Sequence, residues 1–155
     1  MVCDFYLPSI GGVESHILQL STHLIKRGHR IVIITHQYPN HKGVHLINEN
    51  LKVYYLPIPR MPFTANATLP NFFAAHHLLR RIIIRENVSI VHGHAALSSL
   101  AHEALMHSRF IDGVRTVFTD HSLFGFKDVA STLTNKMLRF ALCDTGAIIC
   151  VSKAG

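Results

Sequence analysis

The sequence predicts an α/β fold: a doubly wound, mostly parallel sheet with helices on both faces. Short β-branched apolar runs alternate with amphipathic helical segments along the chain, which is the pattern of parallel strands joined by helices. A glycine turn, Gly11-Gly12, separates the first apolar run from the first helix. Polar side chains, several of them histidines, follow the predicted strands, and doubly wound sheets bind ligands at those strand ends.

The first elements surround the glycine turn. Residues 2–5 predict a short strand, and residues 13–27 predict a helix with apolar side chains at helical spacing. Gly28 follows as a residue type that ends helices. The run Arg-Ile-Val-Ile-Ile-Thr at 30–35 is typical of a strand buried on both faces. Residues 36–50 are polar and predict a loop.

The second part of the chain repeats the alternation. Residues 52–56 predict a strand, and the prolines of 57–70 interrupt regular structure. Asn71 is a candidate cap for a helix over 71–86. The remaining predicted elements are a strand at 88–92, a helix at 97–108, a strand at 115–119, a helix at 129–142 and a strand at 147–151.

Composition limits the class of protein. A chain of 155 residues with 48% hydrophobic and 15% charged residues predicts one domain with a sizeable core. No apolar run approaches the ~20 residues of a membrane-spanning helix. Three widely spaced cysteines predict reduced thiols in a cytosol-facing protein. The net charge of +6 favours an anionic partner, and because no nucleic-acid-binding motif occurs, we expect none that is nucleic acid.

Histidines at the predicted strand ends are the strongest candidates for a site. His36, His94 and His121 lie at or just after the ends of three predicted strands, with Asp120 beside the last. His94 and His121 could hydrogen-bond a phosphate or a sugar hydroxyl, and histidine titrates near neutral pH. The alternative is that these are loop histidines that only cap helices.

The glycine turn offers a second candidate. Gly11 and Gly12 open a helix whose N–H groups and positive dipole end favour an anionic group. The alternative is an ordinary strand-to-helix turn. A nicotinamide dinucleotide site ranks low, because the Gly-x-Gly-x-x-Gly pattern is missing and the second strand ends in Thr35-His36 rather than an acidic residue.

A metal site is the rival interpretation of a chain with thirteen histidines. Zinc sites favour ligands at i and i+4 on a helix or paired cysteines. His76 and His77 are adjacent in sequence, and His102 and His107 are five positions apart. His92 and His94 alternate at the end of a predicted strand. None of these spacings fits, so we expect no metal.

The helix predicted at 71–86 carries Arg80, Arg81 and Arg85 beside apolar residues. Basic residues next to exposed apolar ones can seat a helix on an anionic membrane. The alternative is a core helix with a solvated basic edge.

Four motifs together resemble a known family. They are Gly-Gly-Val-Glu-Ser-His at 11–16, His-Gly-His-Ala at 92–95, Thr-Asp-His-Ser at 119–122 and Ile-Cys-Val-Ser at 149–152. Their order and spacing resemble the N-terminal domain of retaining glycosyltransferases with two Rossmann-like domains, the GT-B architecture of glycosyltransferase family 4. Within it, the segments 4–6, 52–57, 116–126 and 133–136 resemble the family of phosphatidylinositol N-acetylglucosaminyltransferase catalytic subunits.

The resemblance implies a role for each matching residue. Gly11 and Gly12 would lie against the donor phosphates. His94 would lie beside the transferred sugar, and Asp120 and His121 would line the cleft, which makes these three the candidate catalytic residues.

It also implies the substrates and the setting. The donor would be UDP-N-acetylglucosamine and the acceptor phosphatidylinositol, in the first step of glycosylphosphatidylinositol (GPI) anchor biosynthesis, with no cofactor. Asp4, Glu14 and His16 would bind the acceptor. The arginines of 80–85 would face the membrane at the cytoplasmic side of the endoplasmic reticulum, with other subunits of the transferase as partners.

The family's second domain, which binds most of the nucleotide sugar, has no counterpart in 155 residues. We therefore expect residues 1–155 to be a single Rossmann-like, acceptor-side domain from a longer enzyme, and to be inactive alone. The alternative is a non-catalytic module that binds a lipid or another subunit.

Overall fold

The computed structural model describes residues 1–59, 75–121, 136 and 138–151. Its elements are α1 (Gly12–Lys26), β1 (Ile31–His36), β2 (Gly43–Asn48), β3 (Leu51–Leu56), α2 (His76–Arg85), β4 (Ile90–His94), α3 (Ser99–Ser108), β5 (Arg115–Asp120) and β6 (Ala147–Cys150). Residues 138–142 are also helical. None of the helices in these ranges is long and apolar enough to cross a membrane.

The strands form two three-stranded groups. In the first, β3 lies between β1, which is parallel to it, and β2, which is antiparallel. In the second, β5 lies between β4 and β6, and both pairs are parallel. Apart from the β2 edge, the sheet is therefore parallel, as the alternation of strands and helices predicts.

Val2 joins the two groups. It makes parallel bridges to Ile34 in β1 and to Gly93 in β4. Its N–H donates to the carbonyl of His92 at 2.8 Å, and its carbonyl accepts from the N–H of His94 at 3.1 Å. The order across the sheet is thus β2-β3-β1-Val2-β4-β5-β6. The chain first builds outward through β1 and then crosses back to β4, so the topological switch point lies between Val2 and β4.

Two apolar cores cover the two faces of the sheet. Ile17 of α1 packs with Ile33 of β1 and Val53 of β3 on one face. On the other face, α2 and α3 pack against the strands through a core that contains Leu79 and Phe118. Alternate strand residues reach opposite cores, as the period of two in a strand requires. The predicted doubly wound architecture with helices on both faces is confirmed.

Several predicted boundaries are wrong. The loop at 36–50 contains β2, which the sequence hides because the side chains of this edge strand are exposed at all but one position. The strand predicted at 2–5 pairs only through the bridges of Val2. β4 begins and ends two residues later than predicted, so its last residue is His94 rather than His92.

Some predictions lie outside the described residues. They are the cap at Asn71, the first part of the helix predicted at 71–86, the prolines at 62 and 70, most of the helix predicted at 129–142, the segment 122–126 and the end of the chain from 152.

Candidate functional site at the carboxyl edge of the sheet

Three histidines from three elements meet at the switch point. His94 is the last residue of β4, His121 follows β5, and His16 lies near the start of α1. One ring nitrogen from each lies within 4.8 Å of the other two. Nδ1 of His94 is 3.3 Å from Nε2 of His121, and the ring centroids of His16 and His121 are 4.6 Å apart. We call these three residues the histidine cluster.

His94 is the buried member of the cluster. Its side chain is 0% exposed, and within the described parts of the chain its Nε2 has no hydrogen-bond partner. Its ring stacks on that of His92 at 4.1 Å, and Nε2 of His92 is 2.7 Å from Oγ1 of Thr119. Burial, reinforced by the neighbouring His92, holds the pKa of His94 far below its usual range. His94 is therefore a neutral imidazole at pH 7, with one donor and one acceptor.

His121 and His16 form the accessible side of the cluster. Both are partly exposed. Burial and the nearby His16 lower the pKa of His121, and Asp120 opposes that shift. The neutral imidazole of His121 is thus favoured as well, with a carboxylate close by. This combination of one buried and two partly exposed imidazoles is suited to holding a polar ligand that enters from solvent.

The backbone turns sharply after His94. Ala95 has a φ of 67°, a left-handed conformation that non-glycine residues rarely adopt, and its N–H donates to the carbonyl of Thr119 at 3.0 Å. Such a strained conformation persists only where the surrounding structure holds it in place, and residues of this kind are concentrated at functional sites. Here the turn ends β4 at His94 and leads directly into the cap of α3.

Asp4 is placed at the start of α3. It is fully buried, and its Oδ2 accepts from the N–H of Ser99 at 3.1 Å. Its own N–H donates to Oγ of Ser98, which also accepts from the N–H of Ala101. A carboxylate and a serine at this position stabilise the helix N-terminus. The acceptor-binding role predicted for Asp4 stays a prediction, and the contacts seen here fix α3 against the end of the first strand.

The glycine turn forms the start of α1. Gly11 is the N-cap, with extended backbone and no side-chain cap on the helix. A Cβ at Gly11 would overlap the carboxylate of Glu14, which is only 7% exposed, whereas a Cβ at Gly12 would meet nothing within 4 Å. A phosphate at this helix end would therefore meet the like charge of Glu14. The roles predicted for Gly11, Gly12 and Glu14 stay predictions.

The three arginines of α2 lie away from the histidine cluster. Arg80, Arg81 and Arg85 are exposed on the side opposite the buried Leu79, Ile82 and Ile83. Ile84, 56% exposed, lies among them. These features fit a helix seated on an anionic membrane and equally a core helix with a solvated basic edge. The membrane-facing role therefore stays a prediction.

A cavity of about 450 Å³ opens at the opposite edge of the sheet. Ile31, Leu51 and Ile90, the first residues of three strands, line it, and none of the histidine cluster does. The cavity is separate from the carboxyl edge, where ligands of doubly wound sheets bind.

Sequence reasoning selected all three members of the histidine cluster but did not group them. The metal argument considered only histidines that are close in sequence, whereas these three are separated by 78 and 27 positions. The signal that could have found the group is the strand-end rule, because parallel strands bring their carboxyl ends to one edge.

The fold and the position of this edge define the class of protein. Sucrose-phosphate synthase from Thermosynechococcus elongatus aligns with a TM-score of 0.60 over 92% of this chain and 74% of that chain. At 16% identity the likeness shows the fold alone, which is that of a Rossmann-like domain of a GT-B glycosyltransferase. Residues 36–128 match the family described as PIGA (GPI anchor biosynthesis), and the chain belongs to that family.

Relatives match nearly the whole chain. A Homo sapiens relative, named as a subunit of phosphatidylinositol N-acetylglucosaminyltransferase, is 55% identical over 98% of the chain. The gpi3 subunit of the enzyme of the same name from Schizosaccharomyces pombe is 49% identical over 98%. The chain spans about a third of the length of these relatives, 31% and 33%.

Proposed function

We propose that this chain is the N-terminal, acceptor-side domain of an enzyme that transfers N-acetylglucosamine from UDP-N-acetylglucosamine to phosphatidylinositol, the first step of GPI anchor biosynthesis. The observation that carries the proposal is the convergence of His16, His94 and His121 at the switch point of a chain in this family. The name of the Homo sapiens relative supports the reaction, and the strand-end geometry supports the location of the site.

In this proposal the histidines bind and orient the sugar. The bond between the anomeric carbon and the diphosphate oxygen of UDP breaks, and a bond from that carbon to an inositol oxygen forms with retained configuration. The proton of the inositol hydroxyl passes to the departing diphosphate. His94, neutral and buried, hydrogen-bonds a sugar hydroxyl and excludes water from that side of the sugar. His121 and Asp120 line the open side of the cleft. Gly11 and Gly12 border the donor phosphates, which requires the Glu14 side chain to move from the end of α1.

The acceptor side of the proposal involves a membrane. Asp4 follows Val2, and Glu14 and His16 lie at the start of α1. In this proposal they border the acceptor headgroup, which requires the buried Asp4 carboxylate to leave the cap of α3. The exposed arginines of α2 face the anionic lipid surface at the cytoplasmic side of the endoplasmic reticulum, and other subunits complete the transferase. The charge of +6 favours the same surface.

A graft tests the function. The 152 aligned residues of this chain replace their counterparts in the Homo sapiens relative, in cells that lack that protein. GPI-anchored proteins are then counted at the cell surface by flow cytometry, and we expect the graft to restore them. A graft that is expressed at the normal level but restores none contradicts the proposal. The chain alone, given labelled UDP-N-acetylglucosamine and phosphatidylinositol, is expected to give no product.

The basic face of α2 supports a second candidate function, a non-catalytic module that binds a lipid. Sedimentation with phosphatidylinositol vesicles tests it: changing Arg80, Arg81 and Arg85 to Ala should release the chain. The matched control removes three exposed arginines elsewhere, Arg27, Arg30 and Arg115. Equal loss in both triple variants would mean that net charge, not this face, causes binding.

A further inference from the structure

We infer that the histidine cluster, His16, His94 and His121, is a binding site for one transition-metal ion of the zinc class. The inference goes beyond the proposed function, which requires no metal. Imidazole nitrogens are preferred ligands of Zn²⁺, Co²⁺, Ni²⁺ and Cu²⁺, whereas Mg²⁺ and Ca²⁺ favour oxygen. Among the residues the structure describes, this is the group of three whose ligand atoms converge.

The distances fit four-coordinate geometry. With Zn–N bonds of about 2.0–2.1 Å, two nitrogens of a tetrahedral site are about 3.3–3.4 Å apart. Nδ1 of His94 and Nε2 of His121 are 3.3 Å apart. The widest separation in the group is no more than 4.8 Å, so closure needs a shift of at most about 1.5 Å. His16 is partly exposed on α1 and can make that shift by side-chain rotation.

The surroundings support a site with an open position. Three histidines leave the fourth position of a zinc ion for water or a ligand oxygen, and the partly exposed His16 and His121 leave a path from solvent. The carboxylate of Glu14 lies against Gly11 and offsets the positive end of α1, which would otherwise repel a cation.

Co²⁺ titration of the tag-free chain tests the site, because four-coordinate Co²⁺ gives intense visible bands and six-coordinate Co²⁺ gives weak ones. Cys143 and Cys150 are exposed thiols that also bind Co²⁺, so both are changed to Ser in every sample. We expect intense bands that saturate at one ion per chain and are abolished by a stoichiometric amount of Zn²⁺. Weak bands, or no saturation at one ion, overturn the inference.

Variants assign the ligands. His16→Ala with His121→Ala should weaken Zn²⁺ binding by about 100-fold or more, measured by competition with a chelating dye. The control changes His41 and His45, a stacked pair with centroids 5.7 Å apart on another part of the fold, and should alter the affinity less than about twofold. Equal affinities in both double variants, or loss only in the control, overturn the inference.

Circular dichroism checks that each variant is folded. If the double variant is unfolded, His16→Ala alone gives the comparison, because this side chain is partly exposed. It should weaken Zn²⁺ binding by about tenfold or more. An unchanged affinity in the folded single variant overturns the inference equally.

Discussion

Two groups of histidines differ in what their surroundings allow them to do. The histidine cluster lies at the carboxyl edge of the sheet and draws one residue from each of three elements. The second group, which we call the helix-interface group, consists of His76, Glu103 and His107 between α2 and α3. The rings of His76 and His107 are 4.0 Å apart, and Nε2 of His107 is 3.8 Å from a carboxylate oxygen of Glu103.

The difference lies in charge and convergence. The helix-interface group contains a carboxyl group beside His107, that of Glu103, and burial raises its pKa to about 7. In the histidine cluster three imidazole rings converge, and two of them, those of His16 and His121, are partly exposed to solvent. Proximity of histidines alone therefore does not indicate a site. Convergence from three elements at the carboxyl edge of a parallel sheet is the feature that favours a binding site.

The largest expected difference between the two groups is in activity. In the grafted enzyme, His94→Ala or His121→Ala should lower transfer to phosphatidylinositol by about 100-fold or more, because a positioned group in the cleft is lost. His107→Ala, in the helix-interface group, should lower it less than about twofold. Microsomal transfer assays at equal protein levels measure both. Similar losses in all three variants would erase the functional distinction.

The second prediction concerns the packing of β4, the strand that ends at His94, on α3, the helix that carries Glu103 and His107. Gly93 lies between His92 and His94, where β4 packs on α3, and a Cβ there would come 3.0 Å from Cδ1 of Leu105. Gly93→Ala should lower the free energy of unfolding by about 1–3 kcal/mol through overpacking. Gly12→Ala is the control: it has open space at a helical position and should raise stability by up to about 1 kcal/mol. Urea denaturation measures both, and an unchanged Gly93→Ala midpoint would refute the tight contact.

The third prediction uses pH to distinguish the effects of two adjacent buried residues of α3, His102 and Glu103, on the stability of the fold. Burial raises the pKa of Glu103 from 4.5 to about 7, so the fold loses stability as pH rises through that interval. Burial lowers the pKa of His102 from 6.5 to about 4, so the fold loses stability as pH falls through that interval. Glu103→Gln should therefore be more stable than the parent by about 1–2 kcal/mol near a pH of about 8, and equal to it near about 4.5.

Denaturation across that pH range measures the effect of Glu103→Gln. Glu49→Gln, at an exposed residue, is the matched control and should follow the parent curve throughout. A difference at Glu103 that grows toward acid would reverse the sign and exclude burial as the cause of the raised pKa.

The smallest expected effect is at the strained turn after His94. Ala95→Gly relieves the left-handed strain of about 1–2 kcal/mol but loses a buried methyl and adds freedom to the unfolded chain, so the change should be within about 0.5 kcal/mol. Ala96→Gly also loses a buried methyl group and adds freedom to the unfolded chain, but it relieves no left-handed strain. It should therefore lower the free energy of unfolding by about 1–2 kcal/mol. Thermal unfolding compares them, and equal losses would show that Ala95 is unstrained.

Much of the fold could be predicted because it depends on local patterns. The run at 30–35 identified β1, since a strand buried on both faces must be apolar at nearly every position. β2 could not be predicted, because an edge strand with exposed side chains has no apolar pattern. The shift of β4 by two residues reflects its pairing with β5, in which Ile90 lies opposite Arg115 and His94 opposite Thr119, a contact between distant parts of the chain.

The site could be predicted in part for the same reason. The strand-end rule selected His94, Asp120 and His121, because the carboxyl ends of parallel strands share one edge. It could not foresee that Asp4 would cap α3 or that Glu14 would lie against Gly11, since both depend on side-chain orientations set by packing.

The sequence by itself determined the fold class, the family and the edge at which polar groups gather. These follow from hydrophobic periodicity and from residue order, both of which are properties of the chain before it folds. Only the tertiary structure decided that His16, His94 and His121 meet within 4.8 Å, while His76, His107 and Glu103 form a separate group. The reason is that the histidine cluster joins residues 27 to 105 positions apart, and such distances arise from how strands and helices pack, which no local pattern encodes.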